Sequence, residues 1–397
     1  MGGMRRLRIL QIFSRYIYFG GEEGSVFRIG DALQESHDAE YFIGSTNELL
    51  GGDVIDKIQA PFRAFYNLPV AQRLRRYQEV GNFDLWQVHN VLPGLSPSVY
   101  QTAFELKIPL VHYLHNYRIS CTNGLFLNHG QPCERCLHGN FWPAFQTACW
   151  HESHLISGMM GLILRRIRSI GTFHKVAAWI ALCHSQKAKH VQMGIPEKRI
   201  HVIPHFYKPK ESPPPPCPNG DVLFLGRLSR EKGVEALLHA WKLVQSKGRF
   251  LNICGEGPEI ASLKNTVSLL NITNVRFLGF VKPPDQAQLW SSTSFAVIPS
   301  IVPETFGLVV LEAWARERPV IATRLGSPQE IITPDRDGLL ANPVDVASLA
   351  QCIQTLIDSP DTGIAMGKAG RVKLMNEFSE KLWLSRIESV YQSVLPS

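Results

Sequence analysis

Pro303-Glu304-Thr305-Phe306-Gly307-Leu308-Val309-Val310-Leu311-Glu312-Ala313 is the stretch on which the reading of this chain turns. A nearly apolar run, Phe295–Ser300, precedes it and reads as a buried strand. From Gly307 the pattern is helical, so backbone N–H groups near Phe306 to Val309 are expected to lack helical acceptors. Such amides, with the helix dipole, attract phosphate. Glu304 lies just before the helix and Glu312 a little over two turns later, so both can face one ligand. A carboxylate, with two acceptor oxygens, suits paired hydroxyls. The plainer alternative is a solvated helix start and one surface glutamate. Against it, Glu312 sits among Leu311, Ala313 and Trp314, where an unpaired charge is costly.

A second segment, Leu225-Gly226-Arg227-Leu228-Ser229-Arg230-Glu231-Lys232-Gly233, also sits where a strand gives way to a helix. Arg227 can fork onto phosphate oxygens, and Lys232 can add a point charge beside it. An ordinary basic loop is the alternative, and each segment alone is weak evidence.

Outward from these segments, short apolar runs alternate with helical patterns along the chain. Strands are expected near Arg8–Phe13, Glu40–Gly44, Leu85–His89, Leu110–His115, Trp179–Cys183 and His201–Pro204. A second set is expected near Val222–Gly226, Phe250–Gly255, Val275–Gly279, Phe295–Ser300, Val320–Thr323 and Gly338–Asn342. Runs apolar on both faces belong in parallel sheets covered by helices, so the class is α/β. Lys208–Asn219, with Pro209 and Pro213 to Pro216, reads as a stiff spacer between two doubly wound domains, residues 1–207 and 220–378. The simplest arrangement has the two facing across a cleft, with ligands at the carboxyl ends of the strands. Ser379–Leu395 reads as a late amphipathic helix with no strand after it.

Length and composition set limits. At 397 residues the chain exceeds one hydrophobic core, and roughly 150 residues per domain is the usual scale. Apolar residues at 45% and charged residues at 19% are globular values. A net charge of +7 suits anionic ligands or an acidic membrane surface better than a nucleic-acid tract. No run of ~18 apolar residues is present, so no span of a bilayer is expected. The apolar run after Arg5, Arg6 and Arg8 is shorter than the roughly 7–15 residues of a signal peptide, so the start reads as the first strand of a cytoplasmic protein. Eight cysteines do not force an oxidising compartment in a chain this long.

In this order and spacing, the two segments resemble the donor site of the retaining glycosyltransferases of family 4 (group 1), which have the GT-B fold. The resemblance covers nearly the whole chain and is strongest over residues 220–342. It implies two Rossmann-like domains and a final helix crossing back to the N-terminal one. The implied reaction moves a hexose from a nucleotide-diphosphate sugar, uridine or guanosine, onto a saccharide or lipid-linked acceptor, with retention. No catalytic metal or other cofactor is implied.

Position by position, the resemblance gives Arg227 and Lys232, after Gly226, the donor diphosphate. It gives Glu304 the hydroxyls of the transferred sugar, and Glu312 the ribose. Phe306, Gly307 and Leu308 would offer backbone amides. Gly255, Glu256 and Gly257 match a glycine turn near the nucleotide, and Phe280 and Val281 would lie by the base. Gly20 and Gly21, within Phe19-Gly20-Gly21-Glu22-Glu23-Gly24, match the loop that approaches the donor phosphates and acceptor; a plain turn is the alternative. His115 ends a strand where the family commonly has a histidine near the reacting sugar, and a core histidine is its alternative. His112 reads as structural, and His89-Asn90 ends another strand, a position from which to reach the acceptor. The likeness of Asn116-Tyr117-Arg118 and the Asn123-Gly124 turn points to enzymes of bacterial surface polysaccharides.

Other features stand apart. Cys121, Cys133, Cys136 and Cys149 are candidate ligands of a structural zinc in an insertion over residues 117–150; four reduced thiols in a loop-rich lid are the alternative. Asp335-Arg336-Asp337-Gly338 matches an Asp-x-Asp metal motif only formally and reads as a turn. Ile203-Pro204-His205-Phe206 departs from the Asn-Gly that family members often carry after this proline. The basic clusters Arg73, Arg75, Arg76 and Arg165, Arg166, Arg168 read as solvated faces or as peripheral contact with the inner membrane. Rival functions are an epimerase or phosphorylase on the same fold, a non-catalytic scaffold binding sugar or nucleotide, and a redox or zinc-sensing role for the cysteines.

Overall fold

The computed structural model describes residues 5–15, 21–45 and 54–395. The chain divides into two compact units. One comprises Met1–Pro204 with Trp383–Ser397, the other His205–Leu382.

In the first unit, β1 (Arg8–Arg15), β2 (Asp38–Ser45), β3 (Leu85–Val88) and β4 (Leu110–Tyr113) are followed by a small antiparallel hairpin of β5 (Leu127–Asn128) and β6 (Gln131–Pro132), then β7 (Ala178–Ala181) and β8 (Ile200–Val202). Apart from the hairpin they form one parallel sheet in the order β2-β1-β3-β4-β7-β8. In the second unit, β9 (Asp221–Leu225), β10 (Leu251–Cys254), β11 (Val275–Gly279), β12 (Thr293–Ile298), β13 (Val320–Thr323) and β14 (Gly338–Ala341) form a parallel sheet in the order β11-β10-β9-β12-β13-β14. Strands such as Val-Ile-Ala-Thr and Thr-Ser-Phe-Ala-Val-Ile are buried along nearly their whole length, as runs apolar on both faces require.

Each order reverses once. The chain leaves β1 for β2 on one side and returns to β3 on the other, and it runs β9-β10-β11 outward before β12 pairs with β9. At such a reversal the connecting loops diverge and leave a crevice at the carboxyl ends of the strands. The cores beneath are dense. Trp86 and Trp179 are fully buried in the first unit, and Trp290 and Trp314 in the second. Burying side chains of this size stabilises each unit by about 2–3 kcal/mol apiece.

The proline-rich stretch expected to be a spacer lies within the second unit and is docked there. Arg318 Nη2 donates to Pro215 O at 2.7 Å, and Arg249 Nη2 to Pro218 O at 2.8 Å, both from buried arginines. Prolines leave carbonyls without the matching N–H, and these guanidinium groups satisfy them. The last helix, Glu380–Val394, enters the first unit from Trp383 onward. Trp383 Nε1 donates to Tyr113 Oη at 3.1 Å, Tyr391 Oη donates to Gln87 Oε1, and His37 Nε2 lies 3.4 Å from Glu388. Among the described residues, no helix is long and apolar enough to cross a membrane.

Candidate functional site

In the second unit, the loops after β9 and β12 flank the reversal in strand order. The first carries Gly226 and Arg227, then a short 3-10 turn, Arg230–Lys232, closed by Gly233 with φ 68°. The second carries Ser300 and Glu304 before the helix Leu308–Trp314, whose N-cap Gly307 has φ 80°. The two loops meet side chain to side chain. Lys232 Nζ lies 2.6 Å from Glu304 Oε1, and Ser300 Oγ donates to the same oxygen. Glu304 is pinned through its backbone as well: Ser327 N donates to its carbonyl at 2.9 Å.

Arg227 is held by a small acidic clamp. Its Nη2 lies 2.6 Å from Glu231 Oε1 and its Nε donates to Ser229 Oγ at 3.1 Å, while Ser229 Oγ donates to Glu231 at 2.6 Å. Burial pushes the Glu231 carboxyl up, but the Arg227 charge and hydrogen bonds from Ser229 and Arg227 outweigh it and hold it below the usual range. Arg227 itself remains 57% exposed at its side chain, so the guanidinium is oriented yet open to an anion.

The glycine turn Gly255-Glu256-Gly257 packs against this loop. A Cβ on Gly255, whose φ is 143°, would fall 1.8 Å from Gly226 O, and one on Gly257 would fall 2.2 Å from Leu228 O. Leu228 N donates to Glu256 O at 2.8 Å. These glycines therefore fit two loop backbones together, which requires no ligand. Glu256 and Phe280 are exposed, and Val281 and Leu308 are half-buried. Phe306 is buried, its ring 5.2 Å from that of His205 and 6.2 Å from that of Phe378. Its side chain thus anchors the loop and leaves only its backbone for a ligand. Glu312 is half-buried between buried Leu311 and Ala313.

In the first unit a pocket with an empty volume of about 320 Å³ lies at the ends of β3 and β4, lined by Glu22, His89, Asn90, His115, Asn116 and Arg118 among others. His89 Nδ1 and His115 Nε2 are 2.8 Å apart, and the Tyr113 ring stacks on His115 with centroids 5.0 Å apart. Asn116 Nδ2 donates to Glu22 Oε2 at 3.0 Å. Burial lowers the His115 pKa to about 3, so the ring is neutral near pH 7. His112 is buried on the opposite face of β4, between Tyr100 and Trp179 at centroid distances of 5.8 and 4.8 Å, a structural placement. Gly21 opens the helix Gly21–Gln34 with nothing within 4 Å of the position a Cβ would take, and Gly20 lies outside the described residues.

Comparison with known proteins decides the family. Residues 19–211 match Glycosyltransferase Family 4, and residues 219–359 match Glycosyl transferases group 1. The chain belongs to these glycosyltransferases. A D-inositol 3-phosphate glycosyltransferase of Arthrobacter sp. is 26% identical over 81% of this chain and 74% of its own length. The lipopolysaccharide core biosynthesis glycosyltransferase LpsD of Rhizobium meliloti is 28% identical over 53% of this chain and 62% of its own. In fold, the glycosyltransferase resembles Anabaena Alr3699/HepE, solved in complex with UDP-glucose. That match has a TM-score of 0.70 and 18% identity, over 98% of this chain and 100% of that one. The two Rossmann-like units and the final helix are thus those of a GT-B protein.

The four clustered cysteines of the glycosyltransferase lie together. Cys121, Cys133, Cys136 and Cys149 line one pocket, all four as free thiols. Among the described residues, however, no group of three or more His, Cys, Asp or Glu side chains is placed to hold a metal ion. The insertion is organised by Asn123 instead. Its Nδ2 donates to Leu127 O at 2.6 Å and Cys149 O at 3.3 Å, and its Oδ1 accepts from Leu125 N at 3.0 Å and Cys121 Sγ at 3.1 Å. Thr122 Oγ1 lies 2.9 Å from Cys149 Sγ. Burial raises the thiols of Cys121 and Cys149, and that of Cys136 to about 12. Asp337 of the formal Asp-x-Asp is buried, accepting from Thr333 N at 2.8 Å and from Lys373 Nζ at 3.2 Å.

Sequence reasoning passed over Glu231, Ser300, Gln11 and Gln87. The last two had a signal: a single amide in each of two otherwise apolar stretches, Leu10-Gln11-Ile12 and Trp86-Gln87-Val88. Both are fully buried.

Proposed function

We propose that this glycosyltransferase transfers a hexose from a uridine or guanosine diphosphate sugar to a saccharide or lipid-linked saccharide, with retention of configuration, in the assembly of a cell-surface polysaccharide. The observation that carries the reading is the meeting of Lys232 and Glu304 at the sheet reversal, beside the clamped Arg227. One loop offers two cations to a diphosphate, and the other offers a carboxylate to sugar hydroxyls. The UDP-glucose bound to HepE and the lipopolysaccharide role in the name of LpsD support the donor and pathway classes.

In the proposed step the bond from the anomeric carbon to the diphosphate oxygen breaks. A bond from the acceptor oxygen forms on the same face, and the acceptor's proton passes to the leaving phosphate oxygen. Arg227 and Lys232 offset the charge that grows on that oxygen, and no metal is needed. Lys232 leaves its pairing with Glu304 for the phosphate, freeing Glu304 for the sugar. Glu312 takes the ribose, and backbone amides from Phe306 to Leu308 take the phosphate and sugar. In the first unit, neutral His115 accepts a hydrogen bond from a hydroxyl of the reacting sugar.

We also propose peripheral membrane contact through the helix His154–Ser169. Leu155 (79% exposed) and Leu162 (54%) lie one above the other, with Arg165 and Arg166 a turn further along. The exposed Trp142 stacks on Phe145 beside His154. On this helix Arg168 is turned inward, donating to Leu137 O at 3.2 Å, so its basic face narrows to Arg165 and Arg166; in the other cluster Arg75 pairs with Glu105 at 2.5 Å.

The deciding experiment is a thermal-shift screen of UDP, GDP, ADP and their sugar conjugates against wild type and Lys232→Ala. A ligand that binds only the native state raises the melting temperature by mass action. One nucleotide stabilising wild type but not the variant is expected and names the base. No response to any nucleotide would overturn the donor site and leave the non-catalytic scaffold.

A further inference from the structure

Gln11 and Gln87 are register partners on the adjacent parallel strands β1 and β3. Burying two amides in a sheet otherwise built of Leu, Ile, Val and Trp is costly unless each is hydrogen-bonded. Here they are links in a chain. Tyr391 Oη, from the last helix, donates to Gln87 Oε1. Gln87 Nε2 donates to Gln11 Oε1 at 3.2 Å, and His89 Nε2 lies 2.6 Å from that same oxygen. His89 Nδ1 then lies 2.8 Å from His115 Nε2. Tyr113, fixed by Trp383, lies beside both imidazoles, at centroid distances of 5.7 and 5.0 Å.

The direction of each proton follows from chemistry. A carbonyl oxygen only accepts, so the proton facing Gln11 Oε1 sits on His89 Nε2. A neutral His89 then offers a lone pair at Nδ1, so the proton between the rings sits on His115 Nε2. His115, in turn, keeps Nδ1 as its acceptor nitrogen.

We propose that Gln11, Gln87, His89 and Tyr391 are positioning residues that hold His115 as the neutral Nε2–H tautomer, so that it receives a hydrogen bond from a sugar hydroxyl and does not donate one. This rests on the reading of the His115 pocket given above. Glu22, Tyr100, His112 and Arg118 are the other titratable groups lining that pocket.

The test combines spectroscopy with kinetics on the full chain. Long-range 15N–1H spectra of histidine-labelled protein separate the two tautomers, and His115→Gln identifies the His115 signals. His115 and His89 are expected as Nε2–H tautomers across neutral pH. Gln11→Leu is expected to mix the tautomers of both rings and to lower kcat by about tenfold or more with little change in donor KM. Gln11→Glu keeps an acceptor at that position and is expected to restore the tautomer. Its carboxylate favours the charged imidazole, so the acid limb of the pH–rate profile moves to higher pH. Thermal melts check that each variant is folded. An Nδ1–H His115 in wild type, or unchanged tautomer and rate in folded Gln11→Leu, overturns the proposal. Wild-type turnover in His115→Ala overturns instead the reading of the pocket on which it rests, whatever the spectra give.

Discussion

Lys232 and Glu304, 72 positions apart in sequence, share a 2.6 Å contact across the point where the second sheet reverses its order. At their side chains Lys232 is 30% exposed and Glu304 12%, so the pair is neither a solvated surface bridge nor sealed in the core. In that setting a mutual ion pair keeps two groups in place that a ligand can take over one at a time.

Lys232→Ala and Glu304→Ala are each expected to lower kcat/KM by on the order of 10²–10³ or more, the range seen when one charge-stabilising group is removed. The melting temperature should move little, because a partly solvated pair contributes roughly 1 kcal/mol or less. Turnover assays beside thermal melts check both halves. A folded variant with wild-type turnover would remove these residues from the site.

Gly255→Ala should destabilise the second unit by ~1–3 kcal/mol, since its φ of 143° is closed to residues with a Cβ and the added carbon would meet Gly226 O. Gly21→Ala, where nothing lies within 4 Å, is the control and should melt like wild type. Urea midpoints of the two variants decide this.

Acid should unfold the protein through its buried histidines. Burial lowers the pKa of His112 and His115 to about 3 and of His190 to about 4. The unfolded chain, with histidines near 6.5, binds more protons in this range. The stability is therefore full above about pH 6.5 and is lost as pH falls toward 3–4, by up to about 1.4 kcal/mol per pH unit for each histidine. Urea unfolding at pH 7.5, 6.0 and 5.0 should give a falling midpoint. A flat profile would mean that these rings are not held neutral.

Chelation is expected to leave transfer intact. Turnover measured before and after dialysis against EDTA, with metal content determined alongside, should be unchanged. Loss of turnover restored by a divalent cation would refute the metal-independent step.

Leu162→Glu should weaken sedimentation with anionic vesicles while leaving turnover on a soluble acceptor analogue unaltered. Equal sedimentation of variant and wild type would retire the helix His154–Ser169 as the contact.

Both sheets were legible because their strands are short, apolar and regularly spaced, and burial on both faces is written into such runs. Boundaries slipped only by local margins: Trp179–Cys183 was expected where β7 spans Ala178–Ala181. Glu304, Lys232 and Arg227 were legible as chemistry because the loops that carry them are local. Their partners were not. Glu231 looked like one more charge in a basic loop, and only the fold shows it buried under Arg227. The link from Gln87 to Tyr391 spans 304 positions, a distance at which spacing carries no signal. The role of Asn123 among the cysteines was hidden likewise, because its side chain reaches Cys149 O, 26 positions away.

The last helix has a consequence for how the molecule is made. Trp383 is 1% exposed and Tyr391 0%, so they are interior parts of a unit whose first strand begins at Arg8. On a ribosome, most of the first unit emerges before the second but lacks these interior side chains until the second has been synthesised. It must wait, incompletely packed, while the second unit is synthesised. A stop codon before Trp383 would therefore damage the half of the protein that was made first.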